Sequence, residues 1–333
     1  MSLQNRQVLL VRRPEGTLRK DSFTVVTTEL SEELAPGEIL VRNRFLSVDP
    51  YQRLLAGGGD TFTQPAPLGA PMPGWAAGEV MASRDPKLSV GDKVVSYLGW
   101  QLFGICRGEQ ARKVGLRGLP LPAYLGVAGM PGVTAYLGTF DIGRPKAGET
   151  VVVSAAAGAV GGIVGQLARM HGCRVVGIAG GPAKCRHVVE DLGFAAAADY
   201  KAGDLPGDLR KSAPEGIDVY FDSVGGAVLE AVLPLLNPFA RIVLCGHIST
   251  YDRPESPIPS GWEFLLSRRV RLEGFIVGDR LDRWPEALGR LERWAVEGKL
   301  RYEETIVEGL ENAPGALPQL FQGKSLGKLV VAI

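Results

Sequence analysis

The sequence predicts an α/β fold: a doubly wound parallel sheet in the middle and later part of the chain, and a separate β-rich part before it. Three observations carry that prediction. From about residue 129 onward, β-branched apolar runs alternate with stretches of helical periodicity. One of those runs, Thr150-Val151-Val152-Val153, passes through a turn of small residues straight into an apolar stretch with Ile163, Val164, Leu167 and Ala168. Residues 5–120 lack this alternation and consist of short β-prone runs broken by Gly, Pro and Asp.

Taken in order, strands are expected at residues 8–12, 24–28, 38–47, 76–83 and 93–99. Pro36-Gly37, Pro73-Gly74 and Val90-Gly91-Asp92 punctuate them. Gly57-Gly58-Gly59-Asp60, followed by Pro65, Pro67, Pro71 and Pro73, marks a long irregular loop of the kind that carries function in compact domains. A helix is expected over 129–140, with Pro131 tolerated in its first turn. Strands at 150–154, 174–178, 196–199, 217–222 and 241–246 then alternate with helices at 161–171, 183–192 and 228–236. A further strand at 271–277 and a helix at 284–297 follow. Such alternation implies a parallel sheet covered on both faces, the Rossmann arrangement. The tail, 300–307 and 328–333, is β-like again and is placed to rejoin the N-terminal part.

The turn Ala156-x-Gly158-x-x-Gly161 has a specific physics. Gly158 carries no Cβ, so backbone N–H groups approach a phosphate closely, and Gly161 lets the new helix pack tightly on the strand. The helix N-terminus offers free donors and a positive dipole end. A small-residue turn of this kind occurs in parallel α/β proteins generally, but with strand and helix in these places a dinucleotide site is expected. A site for NAD places Asp or Glu about 20 residues past the glycines, where it accepts from the ribose 2′-hydroxyl. Here the second strand runs into Ala179-Gly180-Gly181-Pro182-Ala183-Lys184, with Arg186 following and no acid before Glu190. Small residues and cations suit a 2′-phosphate, so NADP(H) is the expected cofactor.

Composition excludes several alternatives. A chain of 333 residues has room for about two domains. Lys and Arg total 37 against 36 Asp and Glu, so nothing favours a nucleic acid or other polyanion as partner. Cys106, Cys173, Cys185 and Cys245 show no C-x-x-C spacing and are expected to be reduced thiols. No run suggests a secretory signal or a membrane span, and the expectation is a soluble cytoplasmic protein. A catalytic zinc is not expected. The only histidines, His171, His187 and His247, all lie in the nucleotide-binding half, and the β-rich part offers Cys106 alone. No Gly-x-Ser-x-Gly segment supports a serine hydrolase.

Several ordered motifs widen the picture. They are Ser47-Val48-Asp49-Pro50-Tyr51-Gln52-Arg53, Gly129-Met130-Pro131-Gly132-Val133-Thr134-Ala135-Tyr136 and Ala155-Ala156-Ala157-Gly158-Ala159-Val160-Gly161. Further on come Tyr220-Phe221-Asp222-Ser223-Val224-Gly225-Gly226, Cys245-Gly246-His247-Ile248-Ser249-Thr250-Tyr251 and Gly323-Lys324-Ser325-Leu326-Gly327-Lys328. With them the chain resembles, over nearly its whole length, the zinc-independent medium-chain dehydrogenases/reductases, in particular the prostaglandin reductase and alkenal double-bond reductase family, curcumin-reductase-like proteins included.

The resemblance implies a GroES-like catalytic domain over 1–128 and a Rossmann NADP-binding domain over 129–298. It also implies a C-terminal segment, 299–333, that returns to the catalytic domain, and an active site in the cleft between the two domains. The implied activity is NADPH-dependent reduction of the carbon–carbon double bond of α,β-unsaturated ketones and aldehydes, by a homodimer that pairs along the 271–277 edge. Gly158, Ala159, Val160 and Gly161 would hold the pyrophosphate. Gly180, Lys184 and Tyr200 would hold the adenosine end, with Lys184 and Tyr200 on the 2′-phosphate. Cys245, Gly246, His247, Ile248, Ser249 and Tyr251, with Phe275, Ile276 and Val277, would line the nicotinamide. Met130, Thr134, Ser223 and Ser325 complete the implied cofactor contacts, the two serines standing where the family carries asparagine. Gln52 stands where many relatives have methionine.

Hydride transfer to the β-carbon of an enone leaves negative charge on the carbonyl oxygen. Tyr251 and Tyr51 are the candidate donors to that oxygen, since a phenol is a neutral donor at pH 7. Arg53 is expected in a surface ion pair, and Trp75, Trp100 and Trp262 as pocket walls or core. Residues 57–72 and 251–262 are the expected substrate determinants. Two other functions fit the same fold. One is an NADPH quinone oxidoreductase, disfavoured by the Asp-Pro-Tyr and Ile-Ser-x-Tyr segments. The other is an inactive NADP-binding scaffold, in which the Ser-for-Asn exchanges would be signs of decay.

Overall fold

The computed structural model describes residues 2–58, 63–115, 118–252 and 259–333. The chain divides into two compact units, Met1–Gly126 together with Glu304–Ile333, and Val127–Glu303.

The first unit is built on two sheets. Phe23–Ser31, Ser2–Leu10 and Ala70–Pro71 form a small antiparallel sheet, in that order. The larger sheet runs Glu304–Glu308, Lys328–Ala332, Glu38–Ser47, Ala76–Ser83, Lys93–Ser96, Ala111–Lys113, with Phe103–Arg107 also paired to Glu38–Ser47. The C-terminal strand lies antiparallel to Glu38–Ser47, Val330 opposite Ser47, so the tail is part of this unit's sheet. Val8, Leu10, Leu46, Met72, Trp100, Leu317 and Val331 form its core. Trp100 is therefore a core residue, and its indole N–H donates to the Ser47 carbonyl at 3.2 Å.

The motif around Asp49 is buried and polar. The Lys328 ammonium lies 3.1 Å from Asp49 Oδ1, with the side chains only 4% and 5% exposed. It also donates to the carbonyls of Val48 (2.6 Å) and Leu329 (2.9 Å). Ser47 Oγ donates to Asp49 Oδ2, and Gln52 bridges the Asp49 N–H (2.9 Å) and the Pro73 carbonyl (2.9 Å). A buried ion pair survives only when its remaining lone pairs and protons are met in this way. Arg53 is buried rather than at the surface: it is 6% exposed and donates to the Gly16 carbonyl at 2.6 Å.

The second unit carries a six-stranded, wholly parallel sheet in the order Ala196–Asp199, Arg174–Ala179, Thr150–Val153, Ile217–Asp222, Leu236–Leu244, Arg271–Gly274. Its core includes Val152, Val176, Ile178, Tyr220 and Ile242. Close packing of helix on sheet depends on glycine. A Cβ on Gly165 would meet the Phe194 ring at 1.8 Å, and one on Gly177 would meet Ala156 at 2.8 Å. The strand order reverses between Thr150–Val153 and Ile217–Asp222, and the carboxyl ends at such a point form the usual ligand crevice.

Several elements depart from expectation for local physical reasons. A helix at Leu205–Ser212 stands where no element is expected. Pro206 occupies its first turn, and the Asp204 side chain accepts from the Gly207 N–H at 3.0 Å as the N-cap. The strand Leu236–Leu244 starts earlier than expected, because a register shift between Ile217 and Val219 accommodates Pro238 and the positive φ of Phe239. The strand expected at 271–277 stops at Gly274. The helix expected over 129–140 is Met130–Leu137, continued by a wider turn, Gly138–Gly143. A helix, Tyr51–Gly57, leads into the long irregular stretch, which itself contains the strand Ala70–Pro71; residues 59–62 within it, and 253–258 of the second expected substrate determinant, lie outside the described residues. Among the described residues no helix is long and apolar enough to cross a membrane.

Candidate active site

Four loops leave the carboxyl ends of adjacent parallel strands in the second unit, and most of the expected cofactor residues stand on them. After Thr150–Val153 comes the turn with Gly158, Ala159, Val160 and Gly161, all within the same unit as the helix Gly161–Met170 they lead into. A Cβ on Gly161 would stand 2.5 Å from the Ala155 carbonyl oxygen and 3.0 Å from that of Ser154, closer than any side chain is tolerated. Ala155 itself takes φ 48, a conformation rarely adopted outside glycine. Gly158, Ala159 and Val160 are half-buried.

The second loop follows Arg174–Ala179. Gly180 lies against the Tyr200 ring so tightly that a Cβ would meet it at 2.7 Å. Gly181, with φ 90, starts the short helix Pro182–Arg186 that carries Lys184. Burial, and then the nearby charge of Lys201, hold the Lys184 ammonium below its ordinary pKa. Arg186 is exposed on the same helix. The sequence has no acid at the end of this strand, but the sheet supplies one from the strand beside it. Asp199 pairs with Ala179, and its Oδ1 accepts from the N–H groups of Gly181 (2.8 Å) and Lys201 (2.9 Å). Counting along the chain does not find it, because parallel pairing brings it in from a neighbouring strand.

The third and fourth loops are joined by Asp222, a residue with no assigned role in the sequence reading. It is fully buried. Its Oδ1 accepts from Tyr220 (2.9 Å), Ser154 (3.2 Å), Val224 N–H (2.9 Å) and Gly225 N–H (3.0 Å), while its main-chain carbonyl takes the N–H groups of Cys245 (2.8 Å) and Gly246 (3.1 Å). Burial raises its carboxyl pKa, against the pull of those amides. One aspartate thus sets both the Ser223 turn and the start of the Cys245 turn. Ser154 completes the tie by accepting from the Ser223 N–H at 2.8 Å. Ser223 Oγ is buried beside Cys245, whose thiol burial pushes up to about 12.

Tyr251 ends the fourth loop. N–H bonds from Ile248 to Ser223 O (3.2 Å) and from Ser249 to Val224 O (3.1 Å) tie the loop to the third one, and within it His247 Nδ1 pairs with Thr250 Oγ1 at 2.6 Å. The Tyr251 ring stands edge-on to His247, centroids 4.9 Å apart. Its hydroxyl lies over Gly246, where a Cβ would stand 3.2 Å away. Burial, with Cys245 adding to it, pushes the phenol up to about 12. The group is therefore a neutral O–H donor at any physiological pH.

The other expected residues lie further along each unit. Phe275, Ile276 and Val277 follow the sixth strand rather than extending it; Phe275 packs at Gly138, and the Val277 carbonyl accepts from the Trp284 indole at 3.0 Å. Met130 and Thr134 share the helix Met130–Leu137, Thr134 Oγ1 donating to the Met130 carbonyl at 2.9 Å. Tyr51 and Ser325 belong to the first unit. The Tyr51 hydroxyl is buried beside Tyr97 and Asp49; burial first, then the Asp49 charge, raises its pKa well above the ordinary value. Ser325 is half-buried in the turn before Lys328–Ala332. Trp75 meets Tyr97 edge-on at 5.3 Å, and Trp262 is exposed. Among the described residues no group of three His, Cys, Asp or Glu side chains stands close enough to hold a metal ion.

A small-residue turn with Gly158 and Gly161, a loop bearing Lys184 and Arg186 after the next strand, and two tied loops on the far side of the switch point are the parts of a dinucleotide-binding unit of dehydrogenase type. Comparison places the chain within that class. Residues 6–114 match the model of an N-terminal domain of oxidoreductase, and residues 159–293 that of zinc-binding dehydrogenase. The chain is 41% identical to the NADPH-dependent curcumin reductase of Escherichia coli K12, over 99% of this chain and 97% of that one. It is 39% identical to a 2-alkenal reductase (NADP(+)-dependent) of Nicotiana tabacum, over 99% and 98%. The crystal structure of CurA from Vibrio vulnificus in complex with NADPH superimposes with a TM-score of 0.92 at 41% identity, covering 98% of each chain. The protein belongs to the medium-chain dehydrogenase/reductase superfamily, in the family of prostaglandin, alkenal and curcumin reductases, and is an oxidoreductase.

Proposed function

We propose that the protein reduces the carbon–carbon double bond of α,β-unsaturated ketones and aldehydes with NADPH. The observation that carries the proposal is Tyr251. A phenol held neutral stands at the carboxyl ends of the same parallel strands whose first loop carries Gly158 and Gly161, the latter with no room for a side chain. The relatives support the cofactor and the reaction class: one is named for NADPH and curcumin, one for NADP and 2-alkenals.

Gly158, Ala159, Val160 and Gly161 take the pyrophosphate on backbone N–H groups, and Lys184 and Tyr200 take the 2′-phosphate. Met130, Thr134, Gly180, Ser223, Cys245, Gly246, His247, Ile248, Ser249, Phe275, Ile276, Val277 and Ser325 complete the cofactor contacts. When bound, NADPH supplies the hydride that adds to the β-carbon of the enone. Negative charge then grows on the substrate carbonyl oxygen, and an O–H donor aimed at that oxygen lowers the barrier. Tyr251 is that donor, and protonation at the α-carbon, from Tyr251 or from water, completes the saturated product. Tyr51 is the second candidate donor. The assembly included in this reading is a cytoplasmic homodimer, paired along the exposed outer edge of Arg271–Gly274.

A panel of enones, enals and quinones, assayed with NADPH and with NADH, tests the reading. The expected result is saturable NADPH oxidation by enones and enals, with kcat/KM for NADPH well above that for NADH. Turnover of quinones alone would favour the quinone oxidoreductase, and turnover of nothing would favour a scaffold.

A further inference from the structure

We infer that Lys201 is a second cation of the 2′-phosphate site, set beside Lys184 by the Asp199 carboxylate, which acts as a positioning residue. The inference rests on the NADPH reading above and adds to it two residues outside the expected set.

Asp199 is a bracket between two segments that each bear a lysine. Its Oδ1 takes the N–H of Gly181, three residues before Lys184, and the N–H of Lys201 itself, at 2.8 and 2.9 Å. Gly181 holds φ 90, so the turn that delivers Lys184 depends both on the missing Cβ and on this hydrogen bond. Tyr200 lies between the two segments. One part of its ring covers Gly180, and the Lys201 ammonium stands 5.8 Å from the ring centroid. Lys201 is exposed and Lys184 half-buried. The charge of Lys201 is felt at Lys184 and lowers its pKa, as expected of two cations gathered in one place. Gathering like charges is unfavourable in the empty site, and a phosphate dianion between them reverses the sign. A carboxylate near a phosphate site would oppose the ligand. Here one of its oxygens already receives two amide protons, which offsets part of that cost.

The test is calorimetric titration of the full-length protein with 2′,5′-ADP, 5′-AMP, NADPH and NADH. Lys201→Ala is expected to weaken 2′,5′-ADP and NADPH about tenfold, with 5′-AMP and NADH held within about twofold. The salt dependence of 2′,5′-ADP binding should become shallower in that variant. Asp199→Ala should reproduce the selective loss, while Asp199→Asn, which keeps an acceptor oxygen, should stay within about threefold of wild type. Unchanged 2′,5′-ADP binding in Lys201→Ala, or an equal loss of all four ligands in either alanine variant, would overturn the inference. If wild type fails to prefer 2′,5′-ADP over 5′-AMP, the NADPH reading itself falls, and that result is separate from the behaviour of the variants.

Discussion

Tyr251→Phe should lower kcat for an enone by roughly 10²- to 10³-fold, the effect of removing one donor to a developing oxyanion. Phenylalanine keeps the ring that stands against His247 and removes only the hydroxyl over Gly246. The Kd for NADPH should therefore change less than about twofold, a split that separates chemistry from cofactor binding. The wild-type pH profile adds a second check. The donor must carry its proton, and burial raises the phenol to about 12, so the active form persists as pH rises through neutrality. No alkaline loss of kcat belonging to Tyr251 should appear between about pH 6 and 10. Full activity in Tyr251→Phe would remove it from the mechanism. An equal or larger loss in Tyr51→Phe would move the donor to the first unit.

Asp49→Ala should destabilise the protein by about 3–5 kcal/mol, because it leaves the Lys328 ammonium buried without its counter-ion. Burial already lowers the pKa of Lys328, and Asp49 works against that shift. Without Asp49 the depression deepens. The unfolded chain then binds the proton more readily than the folded one below the ordinary lysine pKa, so the variant's deficit should shrink as pH rises toward 10.5. Asp49→Leu combined with Lys328→Met removes both charges and should recover much of the loss. Urea denaturation of the variants across pH measures all three effects. A deficit under about 1 kcal/mol in Asp49→Ala, flat with pH, would show that the pair is not the anchor that its burial indicates.

Much of the fold was legible because its signals are local. The run at Thr150–Val153, its small-residue turn and the apolar helix after it are adjacent in sequence, and the alternation that follows admits few topologies. What was not legible depends on partners far along the chain. Leu236–Leu244 tolerates Pro238 only because its register with Ile217–Asp222 slips there. Leu205–Ser212 hides behind Pro206-Gly207, and the Asp204 cap is what makes that pair a helix start. Arg53 looks like a surface charge until Gly16, far back in the chain, supplies its acceptor.

The candidate site divides in the same way. The glycines, Lys184 and Tyr251 lie within recognisable motifs. Asp222 stands out only through the bonds it makes to two separate loops, and the proposed roles of Asp199 and Lys201 only through the pairing of Ala196–Asp199 with Arg174–Ala179. An acid sought by counting from the glycines is absent; one delivered across the sheet is present, with one oxygen committed to backbone amides.

The most direct measurement is product analysis after turnover of a simple enone with NADPH carrying deuterium at the transferring carbon. The account predicts a saturated ketone with deuterium at the β-carbon and a solvent proton at the α-carbon. An allylic alcohol labelled at the carbonyl carbon, or no label transferred to the substrate, would contradict it.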